Sequence, residues 1–224
     1  MTTRAQRSGS LLAIALLGAV LFGAGVLLDL HVLRLVAKPW PVIALAIWVW
    51  RDAPAGPYRR WVVLGLGASL AGDLFLELSP RTLFVAGLAS FLVAHVLYVL
   101  AYASDVRALR PLRAIPAYGY GALMLAALAP GLGALTVPVA LYTLVICTML
   151  WRAAARVGDV DPRSARLAFG GAIVFALSDS MIALGRFGEH LLPDDLRTGW
   201  PLRVAIMTTY WLGQWGIAAS AHRR

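Results

Sequence analysis

Apolar runs of roughly 20 residues recur along the whole chain, separated by short stretches in which charge, proline and glycine collect. Eight of these runs are predicted to be membrane-crossing helices, at approximately 10–28, 36–50, 60–79, 83–103, 112–130, 134–151, 165–187 and 201–221. They are far longer than the ~10 alternating residues of a membrane barrel strand, so no strands are expected. The second run is short and the fifth carries Pro116, which makes those two the least regular. The first run lacks a small-residue cleavage pattern and is read as a span rather than a leader. No hydrophilic stretch is long enough for a soluble domain. Residues 1–224 therefore read as one all-α, polytopic integral membrane domain.

Composition agrees. At 60% hydrophobic and a mean hydropathy of +0.76, the chain has too few polar residues to cover a soluble core. The net charge of +9 could point to nucleic acid, but the basic residues sit in the short connections between spans. The N-terminus, the even-numbered connections and the C-terminus hold 14 of the 20 Lys and Arg. The odd-numbered connections hold Arg34, Lys38, Arg81, Arg186, Arg197 and Arg203. This asymmetry predicts both termini in the cytoplasm and a multi-pass protein of a cell inner (plasma) membrane, with the bilayer and not nucleic acid as its partner. Trp48, Trp50, Trp61 and Trp151 fall at predicted cytoplasmic ends, and Trp200 at the opposite interface.

Cys147 stands alone in mid-helix, so neither a disulfide within the chain nor a cysteine metal site is expected. The pairs Gly65–Gly67 and Gly170–Gly171 suit close helix packing better than phosphate binding. No nucleotide-binding, metalloprotease or nucleophile-elbow motif occurs.

Candidate chemistry rests on the acidic residues. Only Asp73 and Asp179 lie well inside spans, where an ionisable group is costly unless it faces a polar interior. Asp73 is ~9 Å and Asp179 ~12 Å from the predicted outer ends of their helices at 1.5 Å per residue. Two helices thus offer carboxylates at nearly one depth, as a pair would require. Other polar groups fall near that level. His95 and Tyr98 share a face of the fourth span, Tyr210 and Gln214 stand at i,i+4 on the eighth, and Ser178 and Ser180 flank Asp179. Lys38 is placed to neutralise Asp73 or Glu77. Tyr58, Tyr102, Tyr118 and Tyr142 read as interface or packing residues. A His with two carboxylates invites a metal, but without HxxE or HxH spacing neither metal nor cofactor is expected. A weak internal symmetry also shows. Asp73 and Asp179 each sit on the third span of a four-span half, eight residues after a glycine (Gly65, Gly171).

These motifs resemble the YhhN family, which includes the TMEM86-type membrane lysoplasmalogenases. The matching elements are Lys38-Pro39, Gly72-Asp73, Phe91-x3-His95-x2-Tyr98, Gly171-x3-Phe175-x2-Ser178-Asp179 and Thr209-Tyr210-x3-Gln214. The resemblance implies an eight-helix ether hydrolase. Its substrate would be a lysophospholipid, a lysoplasmalogen bearing choline or ethanolamine, and water its co-substrate. The products would be a fatty aldehyde and the glycerophospho head group. Vinyl ethers yield to acid: protonation at carbon gives an oxocarbenium ion that water captures. Two carboxyls in a water-poor pocket can supply one acid and one anion, as in two-carboxylate glycosidases. Asp73 and Asp179 are the expected catalytic pair. Asp73 is the expected acid, because Gly72 and Leu74 leave it drier than Asp179 between two serines. Lys38, His95, Tyr98, Ser178, Tyr210 and Gln214 would shape the pocket, with Lys38 meeting the lipid phosphate. Two rival readings remain: a proton-coupled carrier using the same carboxylates, and a non-catalytic protein in which they only tie helices together.

Overall fold

The protein, a computed structural model describing residues 4–79 and 82–222, is built of helices, with no strand among the described residues. In chain order they are α1 (Arg4–Leu27), α2 (His31–Ala37), α3 (Trp40–Asp52), α4 (Pro57–Leu78), α5 (Phe84–Asp105), α6 (Ala114–Leu132), α7 (Thr136–Ala155), α8 (Pro162–Phe187), α9 (Asp194–Thr198) and α10 (Trp200–Ser220). Six stretches are long and apolar enough to cross a membrane: Gly9–Leu27, His31–Asp52, Pro57–Leu78, Phe84–Asp105, Pro111–Ala155 and Pro162–Phe187. This is a multi-pass membrane protein. The fifth stretch, of 45 residues, contains both α6 and α7. Helix α10 is not among the six, since Arg203, Tyr210, Gln214 and three tryptophans lower its hydropathy. Of the basic residues counted for orientation, Arg81, Arg223 and Arg224 lie outside the described residues.

The prolines explain the local departures from the expected runs. The run at 36–50 is divided, because Pro39 has no N–H to continue the ladder; α2 stops at Ala37 and α3 restarts at Trp40. Pro116 leaves α6 unbroken, because it sits in the first turn, where the N–H would have no helical partner. Pro57 and Pro162 open α4 and α8, and Asp161 Oδ1 caps α8 by accepting from the Ser164 N–H at 2.8 Å.

Outward-facing Val20, Leu64, Leu123 and Leu144 are exposed, as a lipid-facing surface requires. The closest helix pairs are α4–α5 and α8–α10. Glycine makes both possible. A methyl on Gly65 would lie 2.3 Å from Tyr98 Cε1, and one on Gly171 2.7 Å from the Ile217 backbone nitrogen.

One end of the bundle is tied by a buried cation. Arg156 is fully buried and donates to Asp105 Oδ2 at 2.7 Å and to Ser164 Oγ at 2.8 Å. Its guanidinium lies 4.7 Å over the ring of Tyr58 and 5.5 Å over that of Tyr102. Ser164 Oγ in turn donates to the Ser220 carbonyl at 2.8 Å, and the Tyr58 hydroxyl meets Ser220 Oγ at 2.7 Å. The knot joins the ends of α4, α5, α7, α8 and α10. Its members bond one another, which is what a charge held out of water requires.

Candidate active site

The polar residues in the bundle form two groups separated by aromatic rings. The first surrounds Asp73 of α4, only 2% exposed. Tyr210 of α10 donates to Asp73 Oδ2 at 2.7 Å, and Lys38 Nζ stands 3.8 Å from Oδ1. Lys38 also reaches Glu77 Oε2 at 3.4 Å. Glu77 Oε1 accepts from Arg34 Nε at 3.0 Å, and Arg34 pairs at 3.0 Å with Asp29 at the surface. A chain of alternating charge thus runs inward from Asp29 to Asp73. Beside it, Tyr98 of α5 donates to Gln214 Oε1 at 2.7 Å. The break at Pro39 sets Lys38 at the junction of α2 and α3, facing α4.

The second group surrounds Asp179 of α8. Its Oδ2 accepts a short hydrogen bond from the Tyr142 hydroxyl of α7, and His95 Nε2 of α5 lies 3.6 Å away. No described residue donates to Oδ1. His95 is fully buried, with its ring edge-on to Tyr142 at 5.2 Å and to Phe175 at 4.8 Å. Neither of its nitrogens makes a hydrogen bond to a described residue. Phe175 and Phe91 lie between the two groups. The ring of Phe175 is 5.3 Å from that of Tyr210 and 6.2 Å from that of Phe91.

Asp179 lines an apolar cavity that Asp73 does not border. A narrow, partly open space is walled by α4 to α8, chiefly by Phe84, Leu88, Leu125, Ile146 and Phe187, and Asp179 borders it together with Tyr142, Ser180 and Tyr120. The walls are otherwise almost wholly apolar. That arrangement suits a hydrocarbon chain with one reactive group beside a carboxyl. Among the described residues, no three of His, Cys, Asp and Glu converge closely enough to hold a metal ion.

The structure thus distributes the residues singled out in the sequence. Lys38, Tyr210, Gln214 and Tyr98 gather at Asp73, and His95 at Asp179. Ser178 turns away: its hydroxyl donates to the Ile206 carbonyl of α10 at 2.9 Å, and it is Ser180 that borders the cavity, bonded at 2.6 Å to Tyr120. Lys38 lies between two carboxylates and is 7% exposed, which leaves it poorly placed for a lipid phosphate. Sequence reasoning missed Tyr142. The signal was available, since Tyr142 is six residues into α7 from Thr136, ~9 Å deep, close to the depth of Asp179. The same count of residues from the helix end sets this tyrosine near the level of Asp179.

The fold and site define a helical membrane protein with two intramembrane carboxyls, one of which borders an apolar cavity. The YhhN family model matches residues 33–221, and the chain belongs to that family. It is 36% identical to human lysoplasmalogenase TMEM86B over 188 residues, covering 83% of this chain and 74% of that protein. It is 37% identical to human lysoplasmalogenase TMEM86A over 171 residues, 75% of this chain and 67% of that protein. A lysoplasmalogenase of Mycobacterium tuberculosis is 35% identical over 150 residues, 60% of this chain and 52% of that one. No solved structure gives a significant match.

Proposed function

We propose that this chain is a lysoplasmalogenase, hydrolysing the vinyl ether of a lysoplasmalogen to a fatty aldehyde and a glycerophospho head group. The observation that carries the mechanism is that Asp179, and not Asp73, borders the apolar cavity. In this reading Asp179 is the proton donor, which reverses the preference drawn from the neighbours of Asp73. Asp73, flanked by Lys38 and receiving the Tyr210 hydroxyl, is the fixed anion of the pair.

With the alkenyl chain in the cavity, Asp179 delivers its proton to the vinyl carbon distal to the ether oxygen, and the adjacent carbon becomes an oxocarbenium ion. The Asp179 carboxylate so formed stands beside that cation and stabilises it. Water adds to the cationic carbon and loses a proton to Asp179. The resulting hemiacetal breaks its bond to the glycerol oxygen, which leaves with a proton as the aldehyde forms. Tyr142 holds Asp179 by its hydrogen bond to Oδ2, leaving Oδ1 for substrate. His95, against the same carboxyl and with unbonded ring nitrogens, is the group placed to orient water. Helices α1, α4, α5, α6, α7, α8 and α10, with α2–α3 as one interrupted crossing, make eight spans. Both termini then face the cytoplasm, in an inner (plasma) membrane.

Aldehyde release from lysoplasmenylcholine and lysoplasmenylethanolamine by the purified protein in detergent tests this reading. Turnover is expected in the parent and a fall of about 10²- to 10⁴-fold in Asp179→Asn. A folded parent that releases no aldehyde would overturn the proposal and favour a carrier, whose action needs a sealed membrane.

A further inference from the structure

The proposed substrate carries a phosphodiester as well as a vinyl ether, and Lys38 is already shared between two carboxylates. Another cation is differently placed. Arg186 lies on α8 seven residues beyond Asp179. Two helical turns put both side chains on nearly the same face, about 10.5 Å apart along the axis. Its guanidinium sits 4.8 Å over the ring of Phe84, and Phe84 packs edge-on against Phe187 at 6.0 Å. Both rings wall the end of the cavity that holds Asp179. Arg186 is exposed, and no carboxylate of a described residue pairs with it. Two other basic groups near this end are engaged. Arg197 bonds Asp194 and the Gly185 carbonyl, and His190 meets the Ala127 carbonyl at 2.8 Å.

We infer that Arg186 is the head-group anchor, binding the phosphodiester of the lysolipid while Asp179 faces its vinyl ether. The inference rests on the lysoplasmalogenase reading and adds to it where the polar end of the substrate lies. Seven bonds separate the carbon that accepts the proton from the phosphorus, roughly 9 Å when extended at ordinary bond lengths of ~1.5 Å. The two-turn spacing of Asp179 and Arg186 matches that span. Stacking on Phe84 fixes the guanidinium plane and leaves its N–H edge for two oxygens of one phosphate, a contact that arginine makes better than lysine. The chain then runs away from Arg186, past Asp179, toward Tyr120, Ile146 and Cys147 at the far side of the cavity.

Binding of two saturated ethers, which lack the acid-labile double bond, tests this. One is a hexadecyl ether lysophosphocholine; the other, hexadecylglycerol, has no phosphate. In maltoside micelles, Arg186→Gln is expected to weaken the phosphate-bearing lipid about tenfold or more and to leave hexadecylglycerol unchanged, with Arg186→Lys between. Equal loss on both lipids would overturn the proposal, because a structural role predicts it. No loss on either would also overturn it, and would mean that Arg186 meets only bulk head groups. Since neither ether is cleaved, the outcome is independent of turnover. A parent that releases no aldehyde from vinyl ethers yet shows Arg186-dependent binding would sink the enzymatic reading and keep the anchor. A parent with turnover and Arg186-independent binding would do the reverse.

Discussion

The Tyr210 hydroxyl donates to Asp73 Oδ2 at 2.7 Å across 137 residues of sequence, joining α10 to α4. His95 of α5 stands in the corresponding relation to Asp179 of α8, at 3.6 Å. In each case a side chain reaches an aspartate on a helix distant in sequence. The two closest helix pairs are α4–α5 and α8–α10, and each aspartate sits on one member of such a pair. Each carboxyl is therefore held by partners from more than one helix, Lys38 and Tyr210 at Asp73 and Tyr142 and His95 at Asp179.

Tyr210→Phe should remove the hydroxyl that faces Asp73 without changing the ring contacts to Phe91 and Phe175. A loss of about 1.5–3 kcal/mol is expected, because the bond is to a charged group. Thermal unfolding in detergent reads the loss, and an unchanged midpoint would show that the bond contributes nothing.

Lys38 neutralises a buried carboxylate, so Lys38→Met should cost about 3–5 kcal/mol by leaving Asp73 uncompensated. The double variant Lys38→Met/Asp73→Asn should recover much of that loss. A double-mutant cycle on unfolding checks the coupling, and simple additivity would contradict the pairing.

Gly171→Ala should separate α8 from α10, since the new methyl would meet backbone atoms of Ile217 and Gly213 at 2.7 and 2.8 Å. Overpacking of this kind costs about 1–3 kcal/mol. Gly170→Ala meets nothing within 4 Å and should be neutral or stabilising. Unfolding midpoints of the two variants, compared side by side, decide the point.

Outside the spans, Arg110 donates to Asp159 at 2.7 Å, and that hydrogen bond holds the Asp159 carboxyl below the usual carboxylate range. A depressed folded-state value means that the pair stabilises the α7–α8 connection above the unfolded value of about 3.9, and that the contribution is lost as pH falls through the folded value. A carboxyl-carbon NMR titration should place the Asp159 midpoint below that reference, and Arg110→Gln should return it there. The same midpoint in both proteins would show the pair to be without effect.

Much of this architecture was legible in the chain because a bilayer punishes polar backbone and stray charge so heavily. Long apolar runs had to be helices, and Asp73 and Asp179 stood out because so few charges lie inside them. Their similar depths followed from helix rise alone, and so did the alignment with His95 and Tyr210. Helix rise says nothing about rotation around a helix axis in its packed position, and there the reading of individual side chains went astray. Ser178 is the chain neighbour of Asp179, yet a step of 100° sends its hydroxyl to the α10 backbone. Tyr142 reads as a packing residue in the sequence, yet in the fold it holds Asp179. The Arg156 knot leaves no local pattern in the chain, because its partners, Asp105, Ser164 and the two tyrosines, come from separate connections and helix ends.

The sequence by itself determined the helical membrane class, the family's motifs and the pair of intramembrane carboxyls, since each is a local or periodic property of the chain. Only the tertiary structure decided that Lys38 and Tyr210 enclose Asp73 while Asp179 borders the cavity. That division depends on how helices far apart in sequence rotate and pack against one another, and packing is settled by side-chain shape across interfaces that no single segment encodes.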